Sequence, residues 1–240
     1  MSVGLADVQV TYGRKTALQV PSWEVPLGKT AVLGLNGSGK STLLKCLARL
    51  QKPAKGRVTV PPVGDIGYLA QDFSFPGNFT VREMLTYVGW LRGLSTREAA
   101  SRAESAASIA GLTEQLPMKL SSLSGGMLQR AALLQTTLHD PSLLLLDEPS
   151  VGLDVVHHES IVRFLSESLS AERLIFTTHV LEDVTRLADR VLVLDSGSIV
   201  FEDDTAHFMG MAAQFGKSAD PQRALLQILA NLPTAEDTGS

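Results

Sequence analysis

The chain has 240 residues, of which 44% are hydrophobic and 19% are charged, and its formal net charge is −4. This composition is typical of a globular protein with a sizeable core, and it excludes a chain that is disordered throughout. The acidic balance argues against a broad basic surface for nucleic acid, and a single cysteine, Cys46, excludes an intramolecular disulfide. We expect no secretory leader, since the first residues lack its basic and apolar stretches.

The first third of the chain is predicted to be rich in strands. Alternation of apolar and polar residues from Ala6 to Tyr12 predicts a half-buried strand. A second, short strand is expected at residues 22–25, a buried strand at Lys29–Leu33 and a helix at Ser41–Leu50. We expect only one short antiparallel strand, around Val58, in the segment before Gln71.

The middle of the chain, about residues 72–141, is predicted to be a helical lobe inserted into the strand-rich core. Thr80 with Glu83, and Ser95 with Glu98, each have the spacing of a capping box at the start of a helix. Gly111 is expected to end the second of these helices.

Short apolar runs return after the lobe and predict an α/β core with parallel strands. They lie at Leu143–Leu146, Leu174–Thr178 and Val191–Leu194, and a hairpin is expected to follow the last of them. No run approaches the roughly 20 apolar residues that a membrane-spanning helix needs. We expect a main domain at residues 1–206 and a tail at 207–240 that holds a short helix, at about 222–232.

A phosphate-binding loop is predicted between the buried strand and the first helix. Residues 34–42 read Gly-Leu-Asn-Gly-Ser-Gly-Lys-Ser-Thr, which matches G-x-x-x-x-G-K-[ST]. Glycines let backbone N–H groups surround a phosphate, the helix N-terminus attracts the anion, and Lys40 can bridge the β- and γ-phosphates. The hydroxyl of Ser41 can bind Mg²⁺. A chance glycine-rich turn is the alternative, but the strand before the loop and the helix after it favour nucleotide binding.

Two further clusters narrow the choice among kinases, GTPases, helicases and motors, all of which use such a loop. Ser124, Gly125 and Gly126 precede a helix predicted at Met127–Leu138, and so form a second potential anion site. Asp147 and Glu148 end an apolar strand, where unpaired carboxylates are costly. Asp147 is expected to hold Mg²⁺ through water, and Glu148 to act as general base for an attacking water.

The segment Leu123–Arg130 resembles the signature motif of the ATP-binding cassette family, and the other motifs follow in that family's order. Tyr12 resembles the aromatic residue that stacks on adenine, although a core tyrosine is an alternative. Gln71 resembles the Q-loop glutamine, which contacts Mg²⁺ and water; Asp154 resembles the D-loop aspartate, and His179 the switch histidine that contacts the γ-phosphate. The other histidines (139, 157, 158 and 207) are interpreted as surface residues.

The resemblance implies a P-loop NTPase fold: a RecA-like α/β core with an antiparallel β portion and the inserted helical lobe. It implies an ATPase that needs ATP and Mg²⁺, with two cassettes, in a homodimer, closing around two ATP molecules so that Ser124, Gly125 and Gly126 of one copy complete the other's site. Residues expected to bind ATP are Tyr12, Gly34, Asn36, Gly37, Ser38, Gly39, Lys40, Ser41 and Thr42. The expected catalytic residues are Lys40, Glu148 and His179, and the expected Mg²⁺ ligands are Ser41, Gln71 and Asp147.

Segments around residues 76–85 and 93–94, together with Met127, resemble ATPase subunits of bacterial ABC-2 type exporters. That resemblance implies a separate transmembrane permease as partner, a cytoplasmic location on the inner face of the membrane, and no nucleic acid. Two alternatives are non-transport members of the family. A translation factor would carry two cassettes joined by a charged linker, and a DNA-maintenance ATPase would carry long heptads between the phosphate loop and the signature.

Overall fold

The computed structural model describes residues 2–75, 77–167 and 171–214. In these ranges the strands are β1 (Gly4–Tyr12), β2 (Lys15–Glu24), β3 (Gly28–Leu33), β4 (Lys55–Thr59), β5 (Ile66–Leu69), β6 (Leu143–Leu146), β7 (Arg173–Thr177), β8 (Arg190–Asp195) and β9 (Ser198–Asp204). The helices are α1 (Lys40–Leu47), α2 (Val81–Leu91), α3 (Thr96–Ile109), α4 (Gly125–Thr137), α5 (Val155–Glu167), α6 (Leu181–Leu187) and α7 (Thr205–Gln214). They form two compact units, one within residues 60–176 and one of residues 2–59 with residues 177–214.

The unit of residues 60–176 contains three parallel strands in the order β5-β6-β7. All four leucines of the central strand β6 are 0% exposed, because the helices that connect parallel strands pack over both faces of the sheet. Burying a leucine side chain contributes roughly 1.5–3 kcal/mol. The burial of these leucines fixes the position of the end of β6, which the two predicted site carboxylates directly follow.

Helices α2, α3 and α4 pack together in the same unit, between β5 and β6 in the chain. The two predicted capping boxes are confirmed. The backbone N–H of Thr80 donates to Glu83 at 2.8 Å, and that of Ser95 donates to Glu98 at 3.0 Å, while each hydroxyl accepts from the glutamate's own N–H. These reciprocal bonds satisfy N–H groups that a helix start otherwise leaves without partners.

The other unit combines two strand arrangements. Strands β2, β1 and β4 form an antiparallel sheet in that order, while β3 pairs with β8 in parallel and β8 with β9 as an antiparallel hairpin. The hairpin agrees with the sequence analysis, and so does β4, the one antiparallel strand described between α1 and Gln71. Strand β3 is buried at Thr30–Leu33 and leads directly into the predicted phosphate loop.

Two elements of this unit differ from expectation. Strand β2 covers ten residues instead of a short segment, and it includes Pro21, which the antiparallel sheet tolerates because β2 is its outer strand. Helix α7 was not predicted; it buries Phe208 completely, with the ring centroid 5.8 Å from that of Phe201. The helix predicted at residues 222–232 lies outside the described residues.

Candidate nucleotide-binding site

The predicted phosphate loop joins β3 to α1 and encloses the ammonium group of Lys40. The side chain is only 7% exposed, and its Nζ donates to the carbonyl oxygens of Gly34 at 2.8 Å and of Leu35 at 3.2 Å. A buried cation is costly unless polar groups compensate it. The loop therefore holds one positive charge among carbonyl oxygens, where an anionic ligand would stabilise it further.

The loop also depends on backbone conformations that other residues rarely adopt. Gly39, which precedes α1, has φ +107°, and a Cβ there would lie 2.7 Å from the carbonyl oxygen of Ala17. Ser38 is 4% exposed, and among the described residues its Oγ has no hydrogen-bond partner. Such an orphaned hydroxyl is unusual in a protein interior, and a phosphate oxygen is a suitable partner for it.

The remaining residues of the loop are more accessible. Asn36 and Gly37 are exposed, with no atom within 4 Å of the position a Cβ would take at Gly37, while Ser41 and Thr42 in the first turn of α1 are half-buried. Gly34 is buried against the carbonyl oxygen of Leu194. The loop thus has a buried inner side and an open outer side.

Tyr12 lies at the end of β1 and is 48% exposed, which excludes the alternative of a core tyrosine. Its hydroxyl donates to Oε1 of Gln51 at 3.2 Å. An exposed ring held at its hydroxyl leaves its faces available for stacking on another planar group.

The two predicted carboxylates directly follow β6 but differ in their surroundings. Asp147 is 2% exposed, and its backbone N–H donates to the carbonyl oxygen of Leu69 at 2.9 Å, which continues the β5–β6 pairing. Burial, together with the negative charge of Asp147, raises the pKa of Tyr68 to about 12. Asp147 therefore sits in a protected position, as a metal ligand requires.

Glu148 is half-buried, and its backbone has φ +52°. A non-glycine residue in this left-handed region is strained by roughly 1–2 kcal/mol. Its carboxylate accepts a hydrogen bond from Nε2 of Gln71 at 3.2 Å, across 77 residues of sequence. The structure therefore brings together two predicted site residues, and the amide orients the carboxylate.

The signature segment forms the start of α4. Ser124 is the N-cap residue, and its Oγ accepts a hydrogen bond from the backbone N–H of Met127 at 3.3 Å. Helix α4 thus begins at Gly125, two residues before the predicted start. Gly125 is exposed, whereas Gly126 is buried against the ring of His157.

Asp154 caps the next helix, α5. Its Oδ1 accepts a hydrogen bond from the backbone N–H of His157 at 2.9 Å, and its side chain is 68% exposed. An aspartate in this position satisfies a free N–H group and complements the helix dipole.

His179 follows β7, as predicted, and is half-buried. The segment around it is fixed by a polar network in which Thr178 accepts from the N–H of Val180 at 3.0 Å and donates to Asp183 at 3.3 Å. Asp183 is 2% exposed. This buried carboxylate anchors the turn that carries the histidine.

The described residues contain no group of three or more histidine, cysteine, aspartate or glutamate side chains that could hold a metal ion by themselves. Mg²⁺ in nucleotide sites commonly binds one or two carboxylates together with substrate phosphates. The buried Asp147 and the hydroxyl of Ser41 are oxygen donors of the kind that this ion prefers. None of the helices described is both long enough and apolar enough to cross a lipid bilayer.

Comparison with known proteins identifies the family. The family model described as ABC transporter matches residues 18–151, which is more than half of the chain. The chain belongs to the ABC transporter family. It is 35% identical over 214 residues to the Nod factor export ATP-binding protein I of Rhizobium meliloti, a match covering 84% of this chain and 64% of that protein. It therefore spans somewhat less than two thirds of that relative's length. An uncharacterized ABC transporter ATP-binding protein of Bacillus subtilis is 35% identical over 181 residues, 72% of this chain and 61% of that protein.

Solved structures confirm the expected fold class. A structure of the ATP-binding subunit of an ABC transporter matches with a TM-score of 0.80, covering 95% of this chain and 100% of that chain at 22% identity. A dimeric ATP-binding cassette in a post-hydrolysis state, bound to ADP and Pi, matches with a TM-score of 0.75 at 25% identity, covering 85% and 98% of the two chains.

Sequence reasoning missed several residues that the structure places at these motifs. Gln51 holds Tyr12, Asp183 supports the turn after β7, and His157, interpreted as a surface residue, lies against Gly126 with its side chain only 22% exposed. The position of His157 three residues after Asp154, at the start of α5, was the only available signal for it. No pattern in the sequence indicates which glycine it contacts.

Proposed function

We propose that the chain is the ATP-hydrolysing subunit of a transporter, which dimerises around two ATP molecules and drives export through a separate transmembrane permease. The observation that carries the proposal is the hydrogen bond from Gln71, which follows β5, to Glu148, which directly follows the buried Asp147 at the end of β6. A carboxylate oriented by an amide beside a buried acid is an arrangement suited to activating water.

In the proposed reaction, a water oxygen attacks the γ-phosphorus while the bond to the β,γ-bridging oxygen breaks, and ADP and phosphate are released. Glu148 accepts the proton of the water, and Gln71 fixes its orientation. Lys40 exchanges its carbonyl partners for the β- and γ-phosphate oxygens and neutralises their charge. Mg²⁺, when bound, neutralises phosphate charge and would be held by Ser41, Gln71 and Asp147.

The remaining motifs take roles across a dimer in this proposal. Ser124, Gly125 and Gly126 at the start of α4 would contact the γ-phosphate bound by the second copy, since a helix N-terminus favours an anion. Asp154 would lie at the dimer interface, His179 would contact the γ-phosphate, and Tyr12 would stack on adenine. The dimeric post-hydrolysis cassette among the structural relatives supports this arrangement.

Transport is supported by the family and by the relatives named as export proteins. We infer the direction of transport from those relatives and leave the cargo open, because cargo selectivity would belong to the permease. No observation favours the translation-factor or DNA-maintenance alternative. Within this proposal, residues 1–206 are the nucleotide-binding domain, residues 72–141 its helical lobe, and the protein is located at the inner face of the membrane through its permease.

The test compares wild type with Glu148→Gln for phosphate release and for ATP-dependent dimerisation measured by light scattering. The variant should bind ATP, accumulate as a dimer and release phosphate roughly 10²–10⁴-fold more slowly, which is the usual contribution of a general base. Glu114→Gln changes an exposed glutamate outside the site and serves as the control. Hydrolysis by Glu148→Gln at the wild-type rate would exclude Glu148 as the base. Co-expression with a multi-span membrane protein encoded by a neighbouring gene should stimulate hydrolysis.

A further inference from the structure

The imidazole ring of His157 lies directly on the signature segment. A Cβ added to Gly126 would lie 1.8 Å from Cδ2, 2.6 Å from Cγ and 2.8 Å from Nε2 of that ring. Real Cβ atoms essentially never approach another heavy atom closer than 3.0 Å, so the ring would have to move by about 1.2 Å (3.0 − 1.8). The neighbouring Gly125 is different, because no atom of the described residues lies within 4 Å of the position that its Cβ would take.

The first turn of α5 directs this ring inward. Val155 and Val156 in the same turn are 78% and 71% exposed, whereas the side chain of His157 is 22% exposed. Its backbone N–H is held by the capping carboxylate of Asp154 at 2.9 Å. The aspartate assigned to the D-loop therefore fixes the residue that covers the signature glycine.

The ring acts by its volume and not through a hydrogen bond. Within the part of the chain that the structure describes, its Nδ1 is buried without a hydrogen-bond partner, and the carboxylate oxygen of Asp154 is 3.9 Å away, beyond hydrogen-bonding distance. An unpaired polar atom at such a contact is unfavourable by itself. The close approach to Gly126 is therefore the best-defined contact of this side chain.

We propose that His157 is a positioning residue for ATP hydrolysis. Its ring holds the N-terminal turn of α4 in place by steric contact with Gly126, and it thereby couples the D-loop residue Asp154 to the signature motif. A displacement of Asp154 at the start of α5 moves the ring, and the ring moves Gly126 and its N–H group. This inference rests on the proposed function, in which that turn contacts the γ-phosphate bound by a second copy.

The first test measures the steric contact itself, by thermal denaturation without nucleotide. Gly126→Ala should lower Tm by roughly 2–12 °C, the range expected for overpacking in a chain of this size. Adding His157→Ala should restore most of that loss, because it removes the ring that the new methyl group meets. Gly125→Ala is the matched control, and His157→Ala should restore none of whatever Tm Gly125→Ala loses. Strictly additive Tm changes at positions 126 and 157 would overturn the contact.

The second test measures positioning. His157→Ala should lower kcat by roughly tenfold, since displacements of about 1 Å cost one to two orders of magnitude in rate. It should also raise the ATP concentration needed for dimerisation and leave the affinity of the monomer for a fluorescent ATP analogue unchanged. His157→Gln, of similar volume, should recover most of the rate. Wild-type kcat in His157→Ala would overturn the positioning role.

The two proposals fail in different ways. If the wild-type protein hydrolyses no ATP, the proposed function fails, and with it the positioning role, while the Tm coupling between positions 126 and 157 is unaffected. If wild type hydrolyses ATP and the Tm changes are additive, only the role of His157 is lost.

Discussion

Replacing Lys40 by alanine removes the one ammonium group that the phosphate loop encloses. In the structure its Nζ donates to the carbonyl oxygens of Gly34 and Leu35 at 2.8 and 3.2 Å. ATP would replace these neutral acceptors with charged phosphate oxygens. A hydrogen bond to a charged group contributes roughly 1.5–3 kcal/mol net, so contacts to two phosphates would contribute about 3–6 kcal/mol.

Because two existing bonds are exchanged for these contacts, we take the lower end, about 3 kcal/mol. Each 1.4 kcal/mol corresponds to about a factor of ten, so ATP affinity should fall by roughly a hundredfold. Lys40→Arg should restore little of it, since a planar guanidinium does not fit a loop shaped around a compact ammonium.

Isothermal titration of ATP into the purified variants measures this loss, and phosphate release measures its effect on hydrolysis. Lys45→Ala is the control, because Lys45 lies in the last turn of the same helix and is exposed. The melting temperature of each variant shows that it is folded. If Lys40→Ala bound ATP as tightly as wild type, the assignment of the loop to phosphate would be wrong.

Four further outcomes follow from the structure. Gln71→Ala removes the amide that orients Glu148; kcat should fall by roughly tenfold with little change in KM, and an unchanged kcat would argue against that orientation. Burial raises the pKa of Cys46 to about 11. A thiol reagent at pH 8 should therefore label Cys46 in the unfolded chain and not in the native protein. Rapid labelling of the native protein would contradict the burial of this thiol. Thr80→Ala removes one half of a capping box and should lower Tm by roughly 2–4 °C. The bonds from the backbone and side chain of Thr80 lower the pKa of Glu83 below its ordinary value of 4.5. The ionised carboxylate of Glu83 therefore contributes its full stabilisation above pH 4.5, and this stabilisation is lost as the pH falls through the lowered pKa. The Tm difference between wild type and Glu83→Gln should vanish in acid.

Much of the fold could be predicted because the interactions that define it are local. A capping box such as Thr80 with Glu83 needs only four consecutive residues. The four consecutive leucines of β6 predict a buried strand from composition alone. Strand β2 was predicted too short because Pro21 argues against a strand unless its position at a sheet edge is known. Helix α7 was missed although Asp204 accepts a hydrogen bond from the backbone N–H of His207 at its start, at 2.7 Å; the burial of Phe208 depends on tertiary packing.

The phosphate loop, the two carboxylates and the serine–glycine helix start were determined by the sequence itself, since each is a run of consecutive residues whose spacing already implies its chemistry. Only the tertiary structure decided that Gln71 contacts Glu148, that Glu148 has a left-handed backbone, and that His157 covers Gly126. The physical reason is distance along the chain. Strand pairing and helix packing bring together side chains tens of residues apart, and no periodicity or motif within a short window specifies which atoms then meet.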